Sequence, residues 1–238
     1  MPTDIQEDDI VNGRSLCVYC GLVPATTMDH VIPRCLFTNP LPNNMVTVPV
    51  CEKCNNEKSK NDSYLRDILV VDIRCSEHPL AQKLMHGTFI RSVRSNRSEI
   101  GRATVARRRT SPLYTSGGLY LGHYPSIPID SERLNDTFRT MIRGLYYKAR
   151  RCRLPDNYLF QIRQTDPLHF RGHCEMAMRS DVNGTYELGY VFGCIYYTGM
   201  LDHGETHWLL SFFNGFFVEV HTHHPLASPF GKPVLSNA

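Results

Sequence analysis

Two Cys-x-x-Cys pairs, Cys17 with Cys20 and Cys51 with Cys54, limit what this chain can fold into more than any other feature of it. Each pair can bend around one ion. The two together make a tetrahedral four-sulfur site that is closed and structural, with no position left for a reacting water. Zn²⁺ is the expected occupant. The thirty residues between the pairs exceed the common zinc-ribbon interval, so the loop is expected to carry something besides the clamp. Nine cysteines is an odd number, and pairs at this spacing read as metal ligands in a reducing compartment before they read as disulfides. Cys35, Cys75, Cys152, Cys174 and Cys194 have no partner at ligand spacing and read as free core thiols.

Inside the loop stands Asp29-His30-Val31-Ile32-Pro33, followed by Asn43-Asn44, and the last clamp cysteine leads directly into Asn55-Asn56-Glu57-Lys58. The order Cys-x-x-Cys, Asp-His-x-x-Pro, Asn, Cys-x-x-Cys-Asn-x-x-Lys resembles the HNH endonucleases with a ββα-metal fold, in the variant where asparagine replaces the last histidine. The resemblance covers about a quarter of the chain. It implies that His30 is the general base, that Asp29 and Asn55 hold a catalytic metal, and that Asn44, with Asn43 beside it, fixes the loop and orients the base. It also implies an intracellular nuclease of the kind used in restriction, anti-phage defence or mobile elements.

The chemistry suits these residue types. Phosphodiester hydrolysis needs a base to take a proton from water, a cation to stabilise charge at phosphorus and the leaving oxygen, and a scaffold that keeps both in line. Histidine titrates near neutral pH, as the first task wants. A carboxylate and an amide offer hard oxygen ligands that suit Mg²⁺ or Mn²⁺ better than zinc. Two different metals are therefore expected, and Lys58 is expected to touch phosphate.

The expected class is α+β: a zinc-clamped ββα module followed by a C-terminal helix and an antiparallel sheet. Residues 1–12 read as an acidic tail, 13–75 as the nuclease module, 76–130 as a basic connector, and 131–238 as a region that binds substrate or a partner. Tyr64, Leu65, Ile68 and Leu69 fall at helical spacing and predict a helix over 52–71. Ser131 reads as the N-cap of a second helix reaching about 153, with Leu134, Phe138, Met141, Ile142 and Leu145 on one face. Short strands are expected near 88–93 and 102–106. A longer one is expected where Tyr186, Leu188, Tyr190, Phe192, Cys194 and Tyr196 alternate. Asn214-Gly215 between 207–213 and 216–222 predicts a hairpin turning on those two residues.

A formal charge of +3 does not by itself point to nucleic acid. Its distribution says more. Arg91, Arg94, Arg97, Arg102, Arg107, Arg108 and Arg109 stand against Glu99 in the connector, and Arg139, Arg143 and Arg150 form a stripe on the second helix. Such stripes attract phosphate backbones through charge and counterion release. Nucleic acid, DNA first, is the expected partner, with a second copy or another protein meeting the C-terminal region. No apolar run of membrane-spanning length occurs, and a cytoplasmic setting is expected. His221, His223 and His224, and separately Asp202, His203, Glu205 and His207, lack a supporting ligand at strand-compatible spacing and read as strand-end residues. Two rival readings use the same module: a non-catalytic zinc-bearing adaptor or nucleic-acid-binding protein, and a toxin that cuts RNA.

Overall fold

A computed structural model describes residues 10–11, 14–106, 109–115, 117–179, 184–198 and 205–225. Of the expected acidic tail only Ile10–Val11 is described. Arg107, Arg108, Asp202 and His203 lie outside the described residues.

Strands β1 (Ile10–Val11) and β2 (Arg14–Ser15) pair and lead into the first clamp cysteines. The hairpin of β3 (Thr27–His30) and β4 (Thr47–Val50) follows, antiparallel, with Asp29 opposite Val48. Helix α1 (Glu52–Val71) begins one residue later, so a ββα unit is present at the position expected. Cys51 caps this helix by accepting the Cys54 amide at 3.5 Å. The C-terminal half of α1 buries Tyr64, Leu65, Ile68 and Leu69, the residues whose spacing marks it in the sequence.

Residues 79–94 and 99–106 are helical, where short strands are expected near 88–93 and 102–106. Helix α2 (Pro79–Leu84) passes through a π-helical turn, Met85–Phe89, into α3 (Ile90–Arg94), and α4 (Glu99–Ala106) follows. Two side chains account for α4: Ser98 Oγ accepts the Gly101 amide at 2.9 Å and donates to buried Asp67 Oδ2 at 2.6 Å. The rest of the connector is a hairpin of β5 (Arg109–Tyr114) and β6 (Tyr120–Ser126), which leaves Leu113, Leu119 and Leu121 exposed.

Helix α5 (Ser131–Arg150) is capped by Asp130, one residue before the expected Ser131: Asp130 Oδ1 accepts the Arg133 amide at 3.0 Å. After it come β7 (Leu159–Thr165), α6 (Pro167–Arg179), β8 (Gly184–Leu188), β9 (Phe192–Thr198), β10 (Thr206–Phe212) and β11 (Phe216–His223). The strands form one antiparallel sheet in the order β7-β11-β10-β9-β8. The single strand expected around Tyr190 is a hairpin, because Gly189 takes φ +57° and turns the chain. The second hairpin stands where it is expected but turns differently. Phe213 and Asn214 carry the positive φ, at 50° and 53°, while Gly215 is needed because a Cβ there would run into the Arg74 carbonyl.

Alternation along β10 and β11 sends Trp208, Leu210, Phe212, Val218 and Val220 inward. Phe138 of α5 meets Phe212 and Phe216 on this face, with ring centroids 6.0 and 6.4 Å apart. Across α5, Val31 packs so closely on Gly144 that an added Cβ would come within 2.6 Å of a Val31 methyl. One continuous core therefore runs from Cys17 through α1 and α5 to Val220. On the sheet's other face lies α6, with Phe170 against Phe217 at 4.5 Å. No helix among the described residues is long and apolar enough to cross a membrane.

Candidate functional site

The clamp cysteines come from two tight turns. Gly21, at φ +63°, folds its amide back onto the Cys17 carbonyl at 2.8 Å, which curls Cys17 toward Cys20. Cys51 and Cys54 face the same point because one turn of α1 separates them. All four sulfurs lie within 4.8 Å of one another, with Cys17 and Cys51 buried. A Zn–S bond of about 2.3 Å asks for sulfur–sulfur edges of about 3.8 Å, so slight side-chain rotation suffices. The four-cysteine cluster is thus able to hold a structural metal such as zinc. Burial and hydrogen bonding to Cys51 push the Cys54 thiol well above its ordinary range.

Beside the clamp, β3 and α1 open a cavity of about 530 Å³ whose wall includes Asp29, His30, Arg34, Asn55, Ser59 and Asp62. Asp29, His30 and Asn55, expected as ligands and base, are therefore brought together. Asp29 Oδ2 accepts the Tyr19 hydroxyl at 2.7 Å and faces Lys58 Nζ at 3.2 Å. Burial, then the Asp29 charge, raises Tyr19 well above an ordinary phenol and keeps it a donor. Among the described residues no donor reaches Asp29 Oδ1. Asn55 Nδ2 points to Thr27 Oγ1 at 3.4 Å, which leaves the amide oxygen as the free end. Burial, then the Arg34 guanidinium, lowers the His30 imidazole below its usual value, with Asp29 opposing.

The other expected residues sit elsewhere. Asn44 lies outside the cavity wall; its Nδ2 donates to the Glu187 carbonyl of β8 at 2.9 Å, and its own carbonyl accepts from Tyr186 at 2.9 Å. Lys58 is only 3% exposed. Its ammonium donates to the His30 carbonyl and to Asp62 Oδ2, each at 2.8 Å, so it neutralises the inside of the site and does not project outward. Arg139 pairs with Glu132 at 2.7 Å and Asp136 at 2.6 Å, and Arg143 with Asp156 at 3.1 Å. Both line a smaller cavity of about 300 Å³ behind Lys58 and Tyr19. Arg150 is exposed at the end of α5.

Two residues of the cavity were not foreseen. Arg34 is exposed at its wall and, among the described residues, has no ion-pair partner. Asp62 shares Lys58 with Asp29, and its Oδ1 is buried with no hydrogen-bond partner among the described residues. Burial, opposed by Lys58, raises the Asp62 carboxyl to about 6. Asp62 stands four residues after Lys58 on α1, a helical ion-pair spacing that was legible. Nothing in the sequence marks Arg34. Comparison with known proteins gives no match: no protein-family model, no curated protein and no solved structure matches this chain.

Proposed function

We propose that the Asp29–His30–Asn55 cavity is the active site of a metal-dependent endonuclease of the HNH type, hydrolysing phosphodiester bonds of nucleic acid, with DNA as the first substrate to test. The observation that carries this reading is the convergence of an imidazole, a carboxylate and an amide in one open cavity of a ββα unit clamped by four cysteines. The donor set fits a hard dication. Asp29 Oδ1 and Asn55 Oδ1 are oxygens with no protein donor among the described residues, and Mg²⁺ or Mn²⁺ prefers such ligands. Bound there, the ion would stabilise charge on phosphate and on the leaving oxygen. An imidazole nitrogen of His30 takes the proton from the attacking water. Tyr19 and Lys58 fix Asp29 through its other oxygen. Arg34, and not the buried Lys58, is the cation placed to meet a phosphate from solvent.

The adaptor reading has two observations in its favour: Arg139 and Arg143 are already paired with carboxylates, and Asp29 has internal partners as a purely structural aspartate would. His30 separates the two. Purified protein is expected to cut plasmid only with added Mg²⁺ or Mn²⁺, and His30→Ala is expected to lower the rate by about 10²–10⁴-fold, the usual worth of a general base. The variant should melt like the parent and contain as much zinc. Equal cutting by both proteins, or none by the parent on plasmid, single-stranded DNA or RNA, would sink the nuclease reading; cutting confined to RNA would reassign the substrate.

A further inference from the structure

A second group of metal-ligating side chains lies at the far end of the molecule, on the sheet. Along β11, Glu219 stands two residues before His221 but is paired with His173 and Arg163, whereas across the ladder further ligands face His221. The register sets His207 directly opposite His221. Their rings are nearly parallel, at 13°, with centroids 4.2 Å apart. Glu205 stands just ahead of β10, and its Oε2 lies 3.6 Å from His221 Nε2, too far for a good hydrogen bond. One donor atom from each of the three side chains lies within 4.8 Å of the other two.

Two further observations point to a ligand. His221 Nε2 is buried with no hydrogen-bond partner among the described residues, and orphaned buried nitrogens of this kind are uncommon in a finished fold. The neighbouring carboxylate is also already taken: Glu219 accepts from His173 at 2.6 Å and from Arg163 at 2.7 Å. Glu205 is therefore the carboxylate left to balance a cation beside the two imidazoles.

We infer that Glu205, His207 and His221 form a binding site for a divalent transition-metal ion of the zinc class. Two imidazole nitrogens and one carboxylate oxygen are the borderline ligands that such ions favour, whereas Mg²⁺ favours the all-oxygen set beside α1. All three side chains are half-buried, and three protein ligands leave one further position on a tetrahedral ion. Three protein ligands with an open position make a site that takes up water or a small anion, unlike the closed four-sulfur clamp. The ion would also tie the segment entering β10 to the end of β11. This inference is independent of the nuclease reading, and neither fails with the other.

Full-length protein stripped with a chelator and titrated with Co²⁺ tests it. Cobalt on thiolates shows sulfur-to-metal charge-transfer absorption, and cobalt on nitrogen and oxygen does not. The parent is expected to take up a thiolate-free equivalent that Glu205→Gln weakens at least about tenfold, since even the loss of an outer-shell partner costs that much. His207→Gln combined with His221→Gln should abolish it, with far-UV circular dichroism reporting the fold. If the double variant misfolds, Glu205→Gln, which lies outside the strand, decides the matter. Zinc content by elemental analysis should fall by one equivalent per chain in the same variants. Thiolate-free uptake that is the same in parent and Glu205→Gln, or its absence from the parent, overturns the site.

Discussion

At Asp62 the fold holds a carboxyl group where ionisation is costly. Burial raises it to about 6, against an ordinary 3.8, so between those values the folded chain keeps a proton that the unfolded chain releases. Its contribution to stability is then complete below about 3.8 and is lost as pH rises through 6. Asp62→Asn cannot ionise and should flatten that dependence. Relative to the variant, the parent should gain about 1 kcal/mol between pH 8 and pH 5, measured by urea unfolding at both. A constant difference would mean that Lys58 already holds Asp62 ionised throughout. The expected phosphate role of Lys58 fails to appear for the same reason: a buried ammonium is retained where two carboxylates and a carbonyl surround it, and burial cannot be read from a Cys-Asn-x-x-Lys string.

Helices of five turns declare themselves, and shorter elements do not. Helix α1 matches its expected bounds and α5 differs by a cap and three residues, because each repeats an apolar face often enough for the period to stand out. Helices α2 and α3 have six and five residues, too few to repeat a face. Helix α6 was readable by its start. Asp166 precedes Pro167, and its Oδ1 accepts the Leu168 and His169 amides at 2.9 and 3.1 Å, the capping arrangement that Asp-Pro announces. The seam between α5 and the loop after β3 carries a prediction of its own. Gly144→Ala should destabilise by about 1–3 kcal/mol through overpacking against Val31, despite alanine's better helix propensity. Val31→Ala should be costly alone but relieve the Gly144→Ala cost in the double variant, a coupling visible in a thermal-unfolding double-mutant cycle.

On the scale of the whole molecule, one continuous core draws on residues of the expected module, connector and C-terminal region alike. The ββα unit was legible because the residues that mark it are local in sequence; the union of parts was not, since Val31 against Gly144 and Phe138 against Phe212 are pairings that no local pattern encodes. This union can be tested with the protein's one tryptophan. Trp208 lies on β10 in the sheet and is 1% exposed. Cys51→Ser should lower the melting temperature reported by Trp208 fluorescence as much as that reported by circular dichroism, since two-state unfolding makes all probes coincide. A fluorescence transition that stays in place would mean that the regions unfold separately. The bond from Asn44 to the Glu187 carbonyl has a bearing on solubility as well as on architecture. β8 ends the sheet, and an unpaired edge invites strands from other copies to add to it. By occupying an acceptor on that edge, the loop that precedes β4 leaves an incoming strand one fewer hydrogen bond to make there.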